Sequence, residues 1–163
     1  MIKKVFLMML IMIAMTISVK AQQSIEKEAF IQDFCSLPEE SIRQVEQMFA
    51  EQGFQVKVSA YYSEEYDALC FHYEYTSMEL YKATDLANVK ETGMLAYLSS
   101  VIREDPTGES LEWLIYKEKQ FNIGLCWKVT CQDKTKHVIA TPGEIEEFYY
   151  KNEDLIYSIL EEQ

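Results

Sequence analysis

Phe121, Ile123, Leu125, Trp127, Val129 and Cys131 occupy successive odd positions, with Asn122, Gly124, Cys126, Lys128 and Thr130 between them. A strand sends alternate side chains to opposite faces, so this period of two predicts a strand with one face against an apolar core. Such a strand needs neighbours, and the chain supplies them. Phe54, Val56, Val58, Ala60 and Tyr62 alternate with Gln55, Lys57, Ser59 and Tyr61. After the polar turn Ser63 to Asp67, Leu69, Phe71, Tyr73 and Tyr75 alternate with Cys70, His72 and Glu74. These two segments predict a hairpin. Leu111, Trp113 and Ile115 predict a third strand, joined by the polar connection Lys117-Glu118-Lys119-Gln120 to the strand at 121–131. A fifth strand is expected at about 136–140.

Helical spacing governs the rest. Ile42, Val45, Met48 and Phe49 predict a helix over about 37–52, with a capping box at Ser36-Leu37-Pro38-Glu39 and a stop at Gly53. Ile25, Ala29, Phe30 and Phe34 predict a shorter one over 24–34. Leu86, Val89, Leu95, Leu98, Val101 and Ile102 predict a helix over 84–103, in which Gly93 marks a kink or a close packing contact. Residues 76–83 fit either the start of that helix or a continued strand. Thr141-Pro142-Gly143-Glu144 opens a last helix with a cap, a first-turn proline and a capping glutamate. The expected fold is therefore α+β: an antiparallel sheet of about five strands with helices on one face, in the order ααββαβββα.

The first 21 residues stand apart. Lys3 and Lys4 precede an unbroken apolar run from Val5 to Met15, and Val19-Lys20-Ala21 offers a cleavage site. This is the pattern of a secretory signal peptide, with export to the periplasm or beyond the cell as its consequence. The expected organisation is a signal peptide at 1–21 and one domain at 22–163, with no membrane span after cleavage. Removing the segment takes away Lys3, Lys4 and Lys20 and no acid, so the net charge of −12 becomes −15. That acidity argues against nucleic acid as a partner, which needs a basic face. It favours a basic protein partner.

Four cysteines in an exported chain suggest disulfides. Cys126 and Cys131 lie five apart on one strand and cannot bridge each other. Two pairings survive: Cys35–Cys131 with Cys70–Cys126, and Cys35–Cys126 with Cys70–Cys131. Cys70 and Cys126 share the less apolar sheet face, which favours a Cys70–Cys126 bridge if their strands are neighbours. The alternative is four free thiols packed as small hydrophobes. Leu69-Cys70-Phe71 and Leu125-Cys126-Trp127 also form a weak internal echo of a helix–strand–strand unit.

No motif marks a catalytic centre. There is no nucleophile elbow, phosphate loop or dinucleotide fingerprint, and no paired-cysteine or paired-histidine metal spacing. No catalytic residue, cofactor or metal ligand is assigned. Eleven tyrosines suit a recognition surface, because tyrosine supplies contact area at low entropic cost. The outward strand positions Tyr61, His72 and Glu74 are the candidate surface. The function expected is a small acidic, exported, non-enzymatic binding protein. Two alternatives stand beside it: a carrier of a small apolar ligand held between sheet and helices, and an enzyme using cysteine or histidine.

Overall fold

A computed structural model describes residues 22–35, 39–104 and 107–161. The expected signal peptide and its cut site, and Ser36, Leu37 and Pro38 of the expected capping box, lie outside them. The chain forms two compact units, residues 1–33 and 34–163. The described part of the first is 22–33, which belongs to helix α1 (22–35).

In the second unit the elements run α2 (Glu39–Glu51), β1 (Val56–Ser63), β2 (Ala68–Tyr75), α3 (Met78–Ala83), α4 (Leu86–Glu104), α5 (Glu109–Phe121), β3 (Gly124–Cys131), β4 (Lys134–Ala140) and α6 (Pro142–Glu161). The strands form one sheet in the order β1-β2-β3-β4. β1–β2 and β3–β4 are antiparallel hairpins, whereas β2 and β3 run parallel. The fold class is α+β, as expected, but the sheet is mixed and has four strands rather than five.

One segment accounts for the difference. Residues 109–121, expected to hold a strand and a polar connection, form helix α5. Leu111, Ile115, Glu118 and Phe121 are its buried positions, at spacings of three and four. With that strand gone, the chain leaves β2, runs through three helices and re-enters the sheet in the direction of β2. A helical crossover is the connection that parallel strands require. The undecided residues are settled as well: Ser77 caps α3 by accepting from the Leu80 backbone N–H at 3.2 Å. The strand expected from Phe121 begins at Gly124, yet Ile123, Leu125, Trp127, Val129 and Cys131 are all buried, as the alternation predicts.

The helices pack on the sheet face that carries these odd positions. Ile42, Val45 and Phe49 of α2, with Met78, Leu80 and Tyr81 of α3, close over Val56, Val58, Tyr75, Val129 and Cys131. α4 approaches so closely that a Cβ at Gly93 would overlap the Trp127 indole. The glycine expected to mark a kink or close packing marks close packing. α6 opens on the expected capping box: Glu144 Oε2 accepts from the Thr141 N–H at 2.8 Å, and the Glu144 N–H donates to Thr141 Oγ1 at 3.3 Å. Lys90 adds an ion pair to Glu144 at 2.6 Å. Both sheet edges carry a polar device against further strand pairing. Glu46 of α2 accepts the Val58 N–H of edge strand β1 at 2.9 Å. Lys136 of β4 donates to the Tyr81 and Thr84 carbonyls at 2.5 and 2.7 Å.

Candidate functional site

The opposite face of the sheet is built from the even positions of β2 and β3 and the odd positions of β1 and β4. Register lines them up in rows. Tyr61, Cys70, Cys126 and Ile139 form one row. Ser59, His72, Lys128 and His137 form the next, followed by Lys57, Glu74, Thr130 and Thr135. The helix contacts described above all fall on the other side. The three residues expected to form a surface, Tyr61, His72 and Glu74, therefore share one face with Cys70 and Cys126, and alternation alone made that legible. Sequence reading missed Tyr66, Lys128, Thr130 and His137. The even positions of the β3 pattern carry the signal for Lys128 and Thr130. Tyr66 and His137 needed the register of the strands.

The Cys row is dry. Ala68, Cys70 and Cys126 are fully buried beneath Tyr61, Tyr66 and Ile139. The Tyr66 ring stacks on His137 with centroids 4.5 Å apart. All four cysteines are free thiols, so the expected Cys70–Cys126 bridge is not formed. Its premise holds, because their strands are neighbours and the two residues are directly opposed. The two opposed thiols act on each other: Cys126 holds the Cys70 thiol below its ordinary range, and Cys70 with burial pushes that of Cys126 up. The nearby Ser63 and Tyr61 side chains also lower the Cys70 thiol. Cys131 lies on the helix-covered face, away from Cys70, so the alternative Cys70–Cys131 pairing is not available.

The His row is wetter. His72 Nε2 lies 2.8 Å from Thr130 Oγ1, and its Nδ1 lies 3.9 Å from Glu74 Oε1. Tyr61 meets the His72 ring edge-on at 6.3 Å. Burial lowers the His72 pKa, with Lys128 adding to this and Glu74 opposing it, so the imidazole is neutral at pH 7. The order carboxylate, imidazole, hydroxyl has the outline of a nucleophile with its base and orienter. Its geometry does not serve that chemistry. The Glu74 contact is beyond hydrogen-bond length. Thr130 sits mid-strand between two paired neighbours, where backbone N–H groups are spent on the ladder rather than free to stabilise an oxyanion.

The last row opens into a cleft of about 810 Å³ at the end of the sheet, lined by Arg43, Glu46, Lys57, Glu74, Tyr75 and Cys131 among others. Between sheet and helices, where the carrier alternative needs its pocket, Leu69, Leu125, Trp127 and Val129 are buried. Among the described residues no group of three or more His, Cys, Asp or Glu side chains converges as a metal site. No helix there is long and apolar enough to cross a membrane. No protein family, curated protein or solved structure matches the chain.

Proposed function

We propose that this protein is an exported, non-enzymatic binding protein that recognises another protein through the helix-free face of its sheet. One observation carries the reading. α2, α3 and α4 pack on one face, while the other presents aromatic and hydrogen-bonding side chains, Tyr61, His72, Thr130, Thr135 and His137, in rows on the strands. Rigid tyrosine and histidine anchors over a dry patch are what a recognition surface uses to gain contact area at low entropic cost.

The partner's chemistry follows from local charge rather than the total. The strand positions of this face carry Lys57 and Lys128 against Glu74 alone, in a chain whose residues 22–163 sum to −15. Apart from Glu74, the described acids lie on the helices and in turns and connections, among them Glu64, Glu65, Asp67, Asp85 and Asp133. A partner that docks here places carboxylates or neutral hydrogen-bonding groups over the two lysines. This departs from the basic partner that the net charge alone favours.

Capture from envelope extract on the immobilised full chain tests both parts. Tyr61→Ala combined with His72→Ala should lower specific retention by about ten-fold or more. Trp113→Ala, on the helical side, should leave it unchanged. Lys128→Glu should weaken capture, whereas stronger capture by that variant would restore the basic partner. The cleft supports a second reading, a small-ligand site. Its paired charges, Arg43 and Lys57 beside Glu46 and Glu74, suit a polar or zwitterionic molecule better than an apolar one. Native mass spectrometry of the purified chain would reveal such a molecule as a mass adduct.

A further inference from the structure

Cys70 and Cys126 stand directly opposite each other on the two central, parallel strands. Both are fully buried and both are free. Opposed residues on neighbouring strands leave the sheet side by side, with backbones about 4.8 Å apart. That spacing lies within the range of about 4.4–6.8 Å that a disulfide takes between its Cα atoms, yet both thiols are free. Two thiolates side by side can also share one soft ion between them.

We infer that Cys70 and Cys126 form a two-coordinate site for a soft monovalent cation of the copper(I) class, with the two Sγ atoms as its ligands. Thiolates select such ions over harder ones. A tetrahedral zinc centre needs four converging donors, and no group of even three converges among the described residues. The surroundings fit a two-thiolate ion. Tyr61, Tyr66 and Ile139 exclude water from the pair. Tyr61 stands opposite Cys70, and Ser63 lies on the same face of β1, where their hydroxyls can support a ligand sulfur from outside the coordination sphere. Lys128 follows Cys126 on the same face, in the next row, and its charge offsets the single negative charge of a monovalent ion bound to two thiolates. Binding is a proton exchange without electron transfer: two thiols release two protons, two metal–sulfur bonds form, and the ion keeps its oxidation state. Entry requires movement of Tyr66, which lies in the acidic turn at 64–67, where Glu64, Glu65 and Asp67 attract a cation.

The test uses the full chain, reduced and kept free of oxygen, titrated with the coloured copper(I) complex of bicinchoninate. One equivalent should be withdrawn by the wild type and by the Cys35→Ser/Cys131→Ser variant. Cys70→Ser and Cys126→Ser, shown folded by circular dichroism, should each withdraw less than about a tenth as much. X-ray absorption of the loaded wild type should show two sulfur neighbours and no nitrogen or oxygen, a readout that needs no variant. The site is overturned if no copper is withdrawn, if either single serine variant binds as the wild type does, or if the absorption shows three or more ligands. An intact mass showing Cys70 and Cys126 already joined as a disulfide would also overturn it. None of these readouts involves a protein partner, so failure here and failure of the recognition surface are separable.

Discussion

Glu118 is the residue whose chemistry most distinguishes this core. It is fully buried on α5, accepts a hydrogen bond from the Tyr97 hydroxyl at 3.1 Å, and leaves its second oxygen without a partner. Burial pushes its pKa up to about 8, with the Tyr97 bond opposing the shift. An acid whose pKa rises on folding holds its proton more tightly in the folded chain. Stability is therefore fully present below the ordinary carboxyl range and is lost as pH rises towards and through about 8. The loss should be of order 4 kcal/mol. Urea unfolding across pH 5 to 9 measures it. Glu118→Gln keeps the shape and the acceptor for Tyr97 but cannot ionise, so it should remove most of that slope; an unchanged slope would place the titration elsewhere. A second residue pair tests the packing of the sheet. Trp127→Ala should cost about 3–5 kcal/mol through lost burial and a cavity, and Lys128→Ala, on the opposite face, no more than about 0.5 kcal/mol. Gly93→Ala should destabilise by about 1–3 kcal/mol through overlap with the indole, against a gain of about 1 kcal/mol in helix propensity. Equal effects at Trp127 and Lys128 would mean the register is wrong.

At the scale of elements, α5 shows where sequence reading succeeds and where it fails. Leu111, Trp113 and Ile115 alternate, and alternation over three residues reads as a strand. The helical stripe was present too, as Leu111, Ile115, Glu118 and Phe121, but a glutamate at a core position breaks an apolar pattern. A buried acid is costly unless neutral or partnered, so composition counted Glu118 as solvent-facing. β1, β2, β3 and α6 were legible because their alternation or capping is local. Parallel pairing of β2 with β3 was not, since it follows from the length of the helical crossover. The site shows the same division. Alternation put Tyr61, His72, Glu74 and Cys70 on one face, whereas the neighbours Lys128, Thr130 and His137 depend on register between distant strands. Thermal or urea unfolding separates helix from strand at 109–121. In the helix Trp113 is half exposed, so Trp113→Ala should cost about 0.5–1 kcal/mol or less, while Ile115→Ala should cost about 2–5 kcal/mol. A strand with both residues inward would make the two losses alike.

For the whole molecule, charge is segregated. The helices and turns hold the acids, and the helix-free sheet face carries mainly lysine, histidine, tyrosine and threonine. A net charge of this sign disfavours anionic polymers, and under the proposed function contact is set by the face. Export is a separate expectation, resting on the N-terminal segment. Intact mass of the protein recovered from an exporting host should begin at Gln22, and a retained Met1 would contradict cleavage. The central claim concerns which side of the molecule meets a partner. The most direct measurement places a photo-reactive phenylalanine at position 59 or 135, on the sheet face, or at position 91 or 116, on exposed helix positions, and irradiates the full chain in envelope extract. The account predicts an adduct of one common mass from positions 59 and 135 and none from positions 91 and 116. An adduct formed from the helix positions alone would contradict it.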